Sequence, residues 1–128
     1  MHVLICDDDA GTRLLVKHLL VKKLGWSVAE CADGTEALQT LGRGGFDLAV
    51  LDINMPQLDG VSVVEAIRSS PQLKDLRVVM LTSDQREEVV RRLIQLGISD
   101  YIVKPLVLDV AQAKFERVQK SMRAGGAT

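Results

Sequence analysis

The stretch Leu48-Ala49-Val50-Leu51-Asp52-Ile53-Asn54-Met55-Pro56 decides the fold. Its apolar residues run unbroken into a carboxylate, the pattern of a strand buried on both faces, as in a parallel sheet. Pro56 has no N–H for a sheet ladder and biases Met55 away from helix, so the strand is expected to end near Asp52. Asp52 then lies at the carboxyl end of a central strand, the edge of open α/β sheets where ligands collect. An isolated acid there is ordinarily a loop cap. The other strand ends give it a different meaning.

Upstream, Val3-Leu4-Ile5-Cys6 reads as a short buried strand ending on Asp7-Asp8-Asp9. Leu15, Val16, Leu19, Leu20 and Leu24 recur at helical spacing up to a stop at Gly25. Trp26 to Cys31 is mixed in polarity, as an edge strand is. Asp33 with Glu36 forms a capping pattern before a helix carrying Ala37, Leu38 and Leu41 to Gly42. Downstream, a turn at Gln57-Leu58-Asp59-Gly60 leads to a helix marked by Val63, Val64 and Ile67 and ended by Pro71. Val78 to Leu81 is a buried strand closing on Thr82-Ser83. Asp84 with Glu87 repeats the capping pattern, and Val89, Val90, Leu93 and Leu96 carry that helix to Gly97. Tyr101-Ile102-Val103 is the fifth strand, running into Lys104-Pro105. Val107, Ala111, Phe115, Val118 and Met122 share one face of a final helix, with Asp109 and Gln112 as a delayed capping pair. Residues 1–122 are expected to form one domain and residues 123–128 a flexible tail.

Strands alternating with helices imply a parallel sheet covered on both faces. Right-handed crossovers leave few topologies, and the common five-stranded one is the flavodoxin-like order 2-1-3-4-5, with its crevice between strands 1 and 3. That order brings Asp7 and Asp8 to Asp52. Thr82 and Lys104 end strands 4 and 5 on the same edge.

Composition narrows the function. The 128 residues suit one ordinary domain, 47% hydrophobic and 26% charged. A net charge of −1 gives no basic excess, so direct nucleic-acid binding is not expected. No apolar run approaches the ~20 residues that span a bilayer, and Met1 leads straight into a strand without a signal-peptide pattern. No membrane association and a cytoplasmic location are the expectations. Cys6 and Cys31 read as buried reduced thiols, and His2 and His18 are isolated. There is no zinc spacing, Walker lysine loop or GxGxxG. No second domain pattern follows Met122, which leaves a stand-alone regulator and a piece of a longer chain both open.

Clustered carboxylates raise one another's pKa unless a cation compensates. Hard oxygen ligands beside a phosphate suit Mg²⁺. Asp52 could then act as a nucleophile forming an aspartyl phosphate, with Lys104 on one phosphoryl oxygen and the Thr82 hydroxyl on another. Flavin binding is a rival use of such a fold, but the first strand leads into acids, not a Ser/Thr/Gly phosphate loop.

The ordered set Asp7-Asp8, Asp52 with Asn54-Met55-Pro56 and Asp59-Gly60, Leu81-Thr82-Ser83, and Asp100 to Pro105 resembles the receiver domains of bacterial two-component response regulators. Arg13, five residues after Asp8, also fits. The resemblance covers essentially the whole chain and implies a CheY-like sheet. It implies that Asp52 accepts a phosphoryl group from a phosphohistidine on a sensor histidine kinase or a phosphotransfer protein. It implies Mg²⁺ on Asp8, Asp52 and the main-chain carbonyl of Asn54, with Asp7 helping through water, and a cis peptide at Lys104-Pro105. Thr82 and Tyr101 are the implied switch pair, and Asn54 and Asp84 the positions that tune phosphoryl lifetime.

A downstream target protein is expected on the face formed by the fourth helix, the fifth strand and the last helix, with Arg91, Arg92 and Gln95 on or near it. Monomer and phosphorylation-dependent dimer both fit. The chain is expected to be a signalling switch that catalyses only its own phosphorylation and dephosphorylation. A receiver-like module that is never phosphorylated is the alternative. A phosphohydrolase is disfavoured, because Asn54 stands where such enzymes carry a second Asp as general acid. Leu106, Val107, Leu108 and Ala111 depart from the family's commonest pattern; the apolar run 106–108 is expected to be a shifted core contact, with a partner contact as the alternative.

Overall fold

In the computed structural model, which describes the backbone of residues 1–126 and the side chains of residues 1–123, strands and helices alternate along the chain. The strands are β1 (His2–Cys6), β2 (Ser27–Cys31), β3 (Leu48–Asp52), β4 (Arg77–Thr82) and β5 (Asp100–Val103). The helices are α1 (Ala10–His18), α2 (Gly34–Gly42), α3 (Gly60–Ser69), α4 (Glu87–Gln95) and α5 (Leu108–Gly126), with a π-helical segment, Leu19–Lys23, continuing α1. All strand pairs are parallel, in the order β2-β1-β3-β4-β5 that the alternation of segments implied.

Period-two alternation in the strands supplies two cores, one on each face of the sheet. Leu48 and Val50 join Val3, Ile5, Val79 and Leu81 under Val16, Leu20 and Phe115. Ala49 and Leu51 join Leu4, Cys6, Val78 and Met80 under Ala37, Leu41, Val63 and Ile67. Each fully buried aliphatic or aromatic side chain contributes about 1.5–3 kcal/mol, against about 1 kcal/mol for a helix cap, so the double core holds the sheet and the caps trim its connections. The edge strands are β2 and β5, and in β2 Ser27 and Glu30 are exposed. Cys6 and Cys31 are buried free thiols. Hydrogen bonding with Cys31, then burial, pushes the Cys6 thiol far up.

Several local expectations are corrected. The first helix does not continue as a regular α-helix to Leu24. Its last turns are π-helical, with Leu24 packed against the core and Lys22 and Lys23 exposed. Asp84 does not cap α4: the N-cap is Arg86, without a side-chain hydrogen bond. Asp109 is no N-cap either, because α5 already begins at Leu108 and the Ala111 N–H bonds Val107 O at 2.9 Å. Val107 is exposed and does not share the buried face of Ala111, Phe115 and Val118. The helix runs past Met122 to Gly126; residues 127 and 128, part of the expected tail, lie outside the described residues.

Candidate functional site

Strand register builds the site. Cys6 pairs with Leu51 across β1 and β3, so Asp7 and Asp52 follow on adjacent strands. Asp7 extends the β1–β2 ladder by donating its N–H to Cys31 O at 3.2 Å. One oxygen each from Asp7, Asp8 and Asp52 lies within 4.8 Å of the others. Asp7 and Asp52 are buried and Asp8 is exposed, so the cluster opens to solvent through Asp8.

Lys104 closes the far side. Its Nζ lies 2.8 Å from Asp7 Oδ2 and 3.4 Å from Asp52 Oδ1. The position is set by β5, where Lys104 N–H donates to Thr82 O at 2.8 Å, and the Lys104–Pro105 peptide is cis. Asp7 is held further by the Asp9 N–H on Oδ1 at 2.9 Å and by Arg13, whose Nη1 donates to the Asp7 carbonyl at 2.6 Å.

Burial, and then the Asp7 charge, raise the Asp52 pKa above its ordinary value; Lys104 and the Asn54 N–H only partly offset them. Burial pulls Lys104 down, but its hydrogen bond to Asp7 and the charges of Asp52 and Asp7 prevail, and its pKa is raised. Among the described residues Lys104 is the only cation paired with the carboxylates of the cluster. A cluster of hard oxygen donors with excess negative charge fits a small divalent cation such as Mg²⁺.

Beyond β3, the Ile53 N–H bonds Leu81 O at 3.1 Å, and Gly60 N–H bonds Ile53 O at 2.8 Å. A Cβ on Gly60 would overlap the Asp52 carbonyl oxygen and stand 2.8 Å from Ile53 Cα, so glycine lets α3 start against the end of β3. Asn54, two residues beyond Asp52, is exposed.

Thr82, at the end of β4, is buried. Its hydroxyl donates to Asp84 O at 2.8 Å and accepts from Asp84 N–H at 2.7 Å, closing a small ring with the β4–α4 loop. The Asp84 carboxylate is taken by Arg86, with Nη2 2.7 Å from Oδ2 and the Arg86 N–H 3.0 Å from Oδ1. That pairing holds Asp84 below the usual carboxylate range.

Tyr101 is half-buried opposite Met80, with Lys114 Nζ 5.0 Å from its ring centroid. It lines a shallow groove of about 440 Å³ with Gln85, Val90, Arg91 and Ile94. Arg91 is therefore beside Tyr101, as expected. Arg92 turns to Glu65 of α3 at 2.8 Å, and Gln95 lines a different depression, with Arg68 and Leu96. A second groove, of about 500 Å³, runs from Lys104 between Leu15 and Leu106. Leu106 packs on the core, but Val107 and Leu108 are exposed, so only the first residue of that apolar run is a core contact.

The expected residues Asp7, Asp8, Asp52, Asn54, Thr82 and Lys104 thus lie along one sheet edge, while Tyr101 faces the α4 groove. Sequence reasoning missed two caps. Asp9 accepts from the Gly11 N–H and the Thr12 hydroxyl, and Asp59 accepts from the Ser62 N–H. The signal for each was an Asp immediately before a helix. It also missed Arg68, for which no local pattern exists.

A sequence model of the response regulator receiver domain matches residues 3–116. The chain is 38% identical over 119 residues to the chemotaxis protein CheY of Pseudomonas aeruginosa, covering 92% of this chain and 95% of that one. Among solved structures it is similar to the chemotaxis response regulator CheY4 of Vibrio cholerae, with a TM-score of 0.83, 32% identity and 91% and 97% coverage of the two chains. It is also similar to the CheX-CheY-BeF₃-Mg²⁺ complex of Borrelia burgdorferi, with a TM-score of 0.84, 28% identity and 92% and 88% coverage.

Proposed function

The chain belongs to the response regulator receiver domain family, and we propose on that footing that Asp52 is its phosphoacceptor and the Thr82–Tyr101 pair its switch. The observation that carries the proposal is the Asp52 carboxylate itself, buried at the carboxyl end of the central strand, 3.4 Å from a lysine and within ligand distance of two more acids.

One Asp52 oxygen attacks the phosphorus of a phosphohistidine on a sensor histidine kinase or phosphotransfer protein. The new O–P bond forms as the N–P bond breaks, and the imidazole leaves with the electron pair and takes up a proton. Such transfer needs positioning and charge neutralisation more than covalent help from the protein. Lys104 supplies a fixed positive charge beside Asp52. Mg²⁺ would be held by Asp8, Asp52 and the Asn54 carbonyl, with Asp7 through water, and would neutralise charge on the transferring group.

Receiver domains are signalling switches and not classical enzymes; this one catalyses only its own phosphorylation and dephosphorylation at Asp52. A phosphoryl group adds about −1.5 to −2 charge and new acceptor oxygens. The Thr82 hydroxyl turns toward it and leaves Asp84, and Tyr101 moves inward into the space that opens. The face formed by α4, β5 and α5 then presents a new shape to a downstream protein, as a monomer or a phosphorylation-dependent dimer. The CheX-CheY complex of the B. burgdorferi relative supports a protein partner. Among the described residues no helix is long and apolar enough to cross a membrane; we place the domain in the cytoplasm, with its kinase.

The test is incubation with a small acyl-phosphate donor and Mg²⁺, followed by intact-mass measurement. One acid-stable, base-labile phosphoryl group is expected, absent from Asp52→Ala. Modification that persists in that variant, or maps to Ser83, would refute the assignment. Complete absence of uptake would favour a module that signals by binding alone.

A further inference from the structure

Helix α4 is held differently at its two ends. At the carboxyl end, Arg68 reaches across from α3. Its Nε donates to Leu96 O at 2.7 Å and its Nη2 to Gly97 O at 3.2 Å. Its Nη1 donates to Lys74 O at 2.9 Å and Leu76 O at 2.7 Å, in the segment entering β4. One planar fork thus satisfies carbonyls left over at the end of α4 and ties them to the loop before β4. The Ser99 N–H adds a bond to Val78 O at 2.8 Å, and Leu93, the buried residue of α4, lies next to this end.

The amino end has no such anchor. Its N-cap, Arg86, makes no side-chain capping bond, and Glu87 and Glu88 are exposed. Asp84 bonds Arg86, a neighbour in sequence. The hydrogen-bonded link from this end to the sheet is the Thr82–Asp84 ring, closed by a hydroxyl free to rotate. The Arg92–Glu65 pair near the middle is nearly half exposed on both sides and adds little.

We propose that Arg68 is a positioning residue for the output step: it pins the carboxyl end of α4 as a pivot, so that a change at the Asp52 site swings the amino-terminal half of the helix. The inference rests on the reading of Asp52 as phosphoacceptor and Thr82 as its reporter. When the Thr82 hydroxyl leaves the Asp84 carbonyl, the amino end loses its tie to β4, while the Arg68 bonds at the other end are untouched. The nine residues of α4 make a lever of about 13 Å at about 1.5 Å per residue. Displacement is largest at Gln85 to Val90 and falls toward Leu96. Gln85, Glu87 and Val90 line one end of the Tyr101 groove and Arg91 and Ile94 the other, so a swing of the amino-terminal half changes the shape of the groove.

Amide hydrogen exchange read by mass spectrometry tests this on the full chain, before and after phosphorylation with an acyl-phosphate donor and Mg²⁺. In the wild type, phosphorylation should change exchange several-fold at Glu87 to Val90 and leave Ile94 to Ile98 nearly unchanged. Arg68→Met should still take up the phosphoryl group by intact mass, but the change should spread through Ile98. Arg68→Lys keeps the charge without the planar fork, and is the fallback should the methionine variant not fold; it too should lose the gradient. A uniform change along wild-type α4, or an undiminished gradient in the variants, overturns the pivot. A wild-type protein that takes up no phosphoryl group overturns the phosphoacceptor reading and the pivot with it, an outcome intact mass separates from mere loss of the gradient.

Discussion

Lys104 stands closer to Asp7 than to Asp52, 2.8 Å against 3.4 Å. Its ammonium therefore compensates first the acid that has no solvent exposure, and Asp52 keeps a raised pKa from burial and the charge of Asp7. A phosphoryl group on Asp52 would add charge and compete for the same ammonium, so Lys104 links the resting pocket to the loaded one.

The first prediction concerns pH. Because the folded-state pKa of Asp52 is raised, the native protein binds this proton more tightly than the unfolded chain does. Between the ordinary carboxylate range and the raised value, stability should fall as pH rises, and the deficit should persist at neutral pH. Asp52→Asn removes the ionisation. With a chelator present, it should melt at a higher temperature than wild type at neutral pH, and the difference should shrink on acidification. Equal melting temperatures at neutral pH would contradict the electrostatic account.

A second prediction concerns the cation. Binding to the native state alone stabilises by about 2.7 kcal/mol when Mg²⁺ is at 100 times its Kd. Titrating Mg²⁺ should therefore raise the melting temperature of the wild type. In Asp8→Ala most of that rise should disappear, since the variant loses the exposed carboxylate of the cluster. An unchanged Mg²⁺ affinity would exclude Asp8 as a ligand.

Thr82→Ala offers a third test. The variant loses both hydrogen bonds of the ring with Asp84, a cost of about 1–3 kcal/mol by the usual value of such bonds. Asp52 should still accept a phosphoryl group. Amide NMR should then show shifts confined to the pocket, with Tyr101 and α4 nearly unmoved. Full propagation of the shifts without the hydroxyl would sink the switch mechanism.

The fourth concerns lifetime. Asn54 is small and exposed two residues beyond Asp52, and the Asp84 carboxylate is turned to Arg86. Neither screens the phosphoryl group with bulk, so decay should be fast. Replacing Asn54 by Arg or Met should lengthen the half-life several-fold in a phosphate-release assay. Unchanged decay in both variants would count against water access as the control.

What the chain determined by itself was whatever depends on near neighbours in sequence. An unbroken apolar run from Leu48 to Leu51 can be satisfied only by burial on both faces, and Pro56 limits its length. Asp33 lies next to the helix it caps, and capping is a local hydrogen bond. With strand and helix alternating and crossovers right-handed, the order of the sheet followed, and with it the meeting of Asp7, Asp8 and Asp52.

Tertiary structure decided which of several available partners each polar group takes. Arg92 turns away from its own helix to Glu65 of α3, a partner 27 residues away in sequence. The π-helical turn at Leu19–Lys23 left no mark in the spacing of Leu19, Leu20 and Leu24, which reads as regular helix. The division of Lys104 between Asp7 and Asp52 depends on how far β5 stands from β1 and β3 across β4. Arg68 carries no signal in its own segment, because its carbonyl partners come from two distant stretches of chain that only the packed fold brings together.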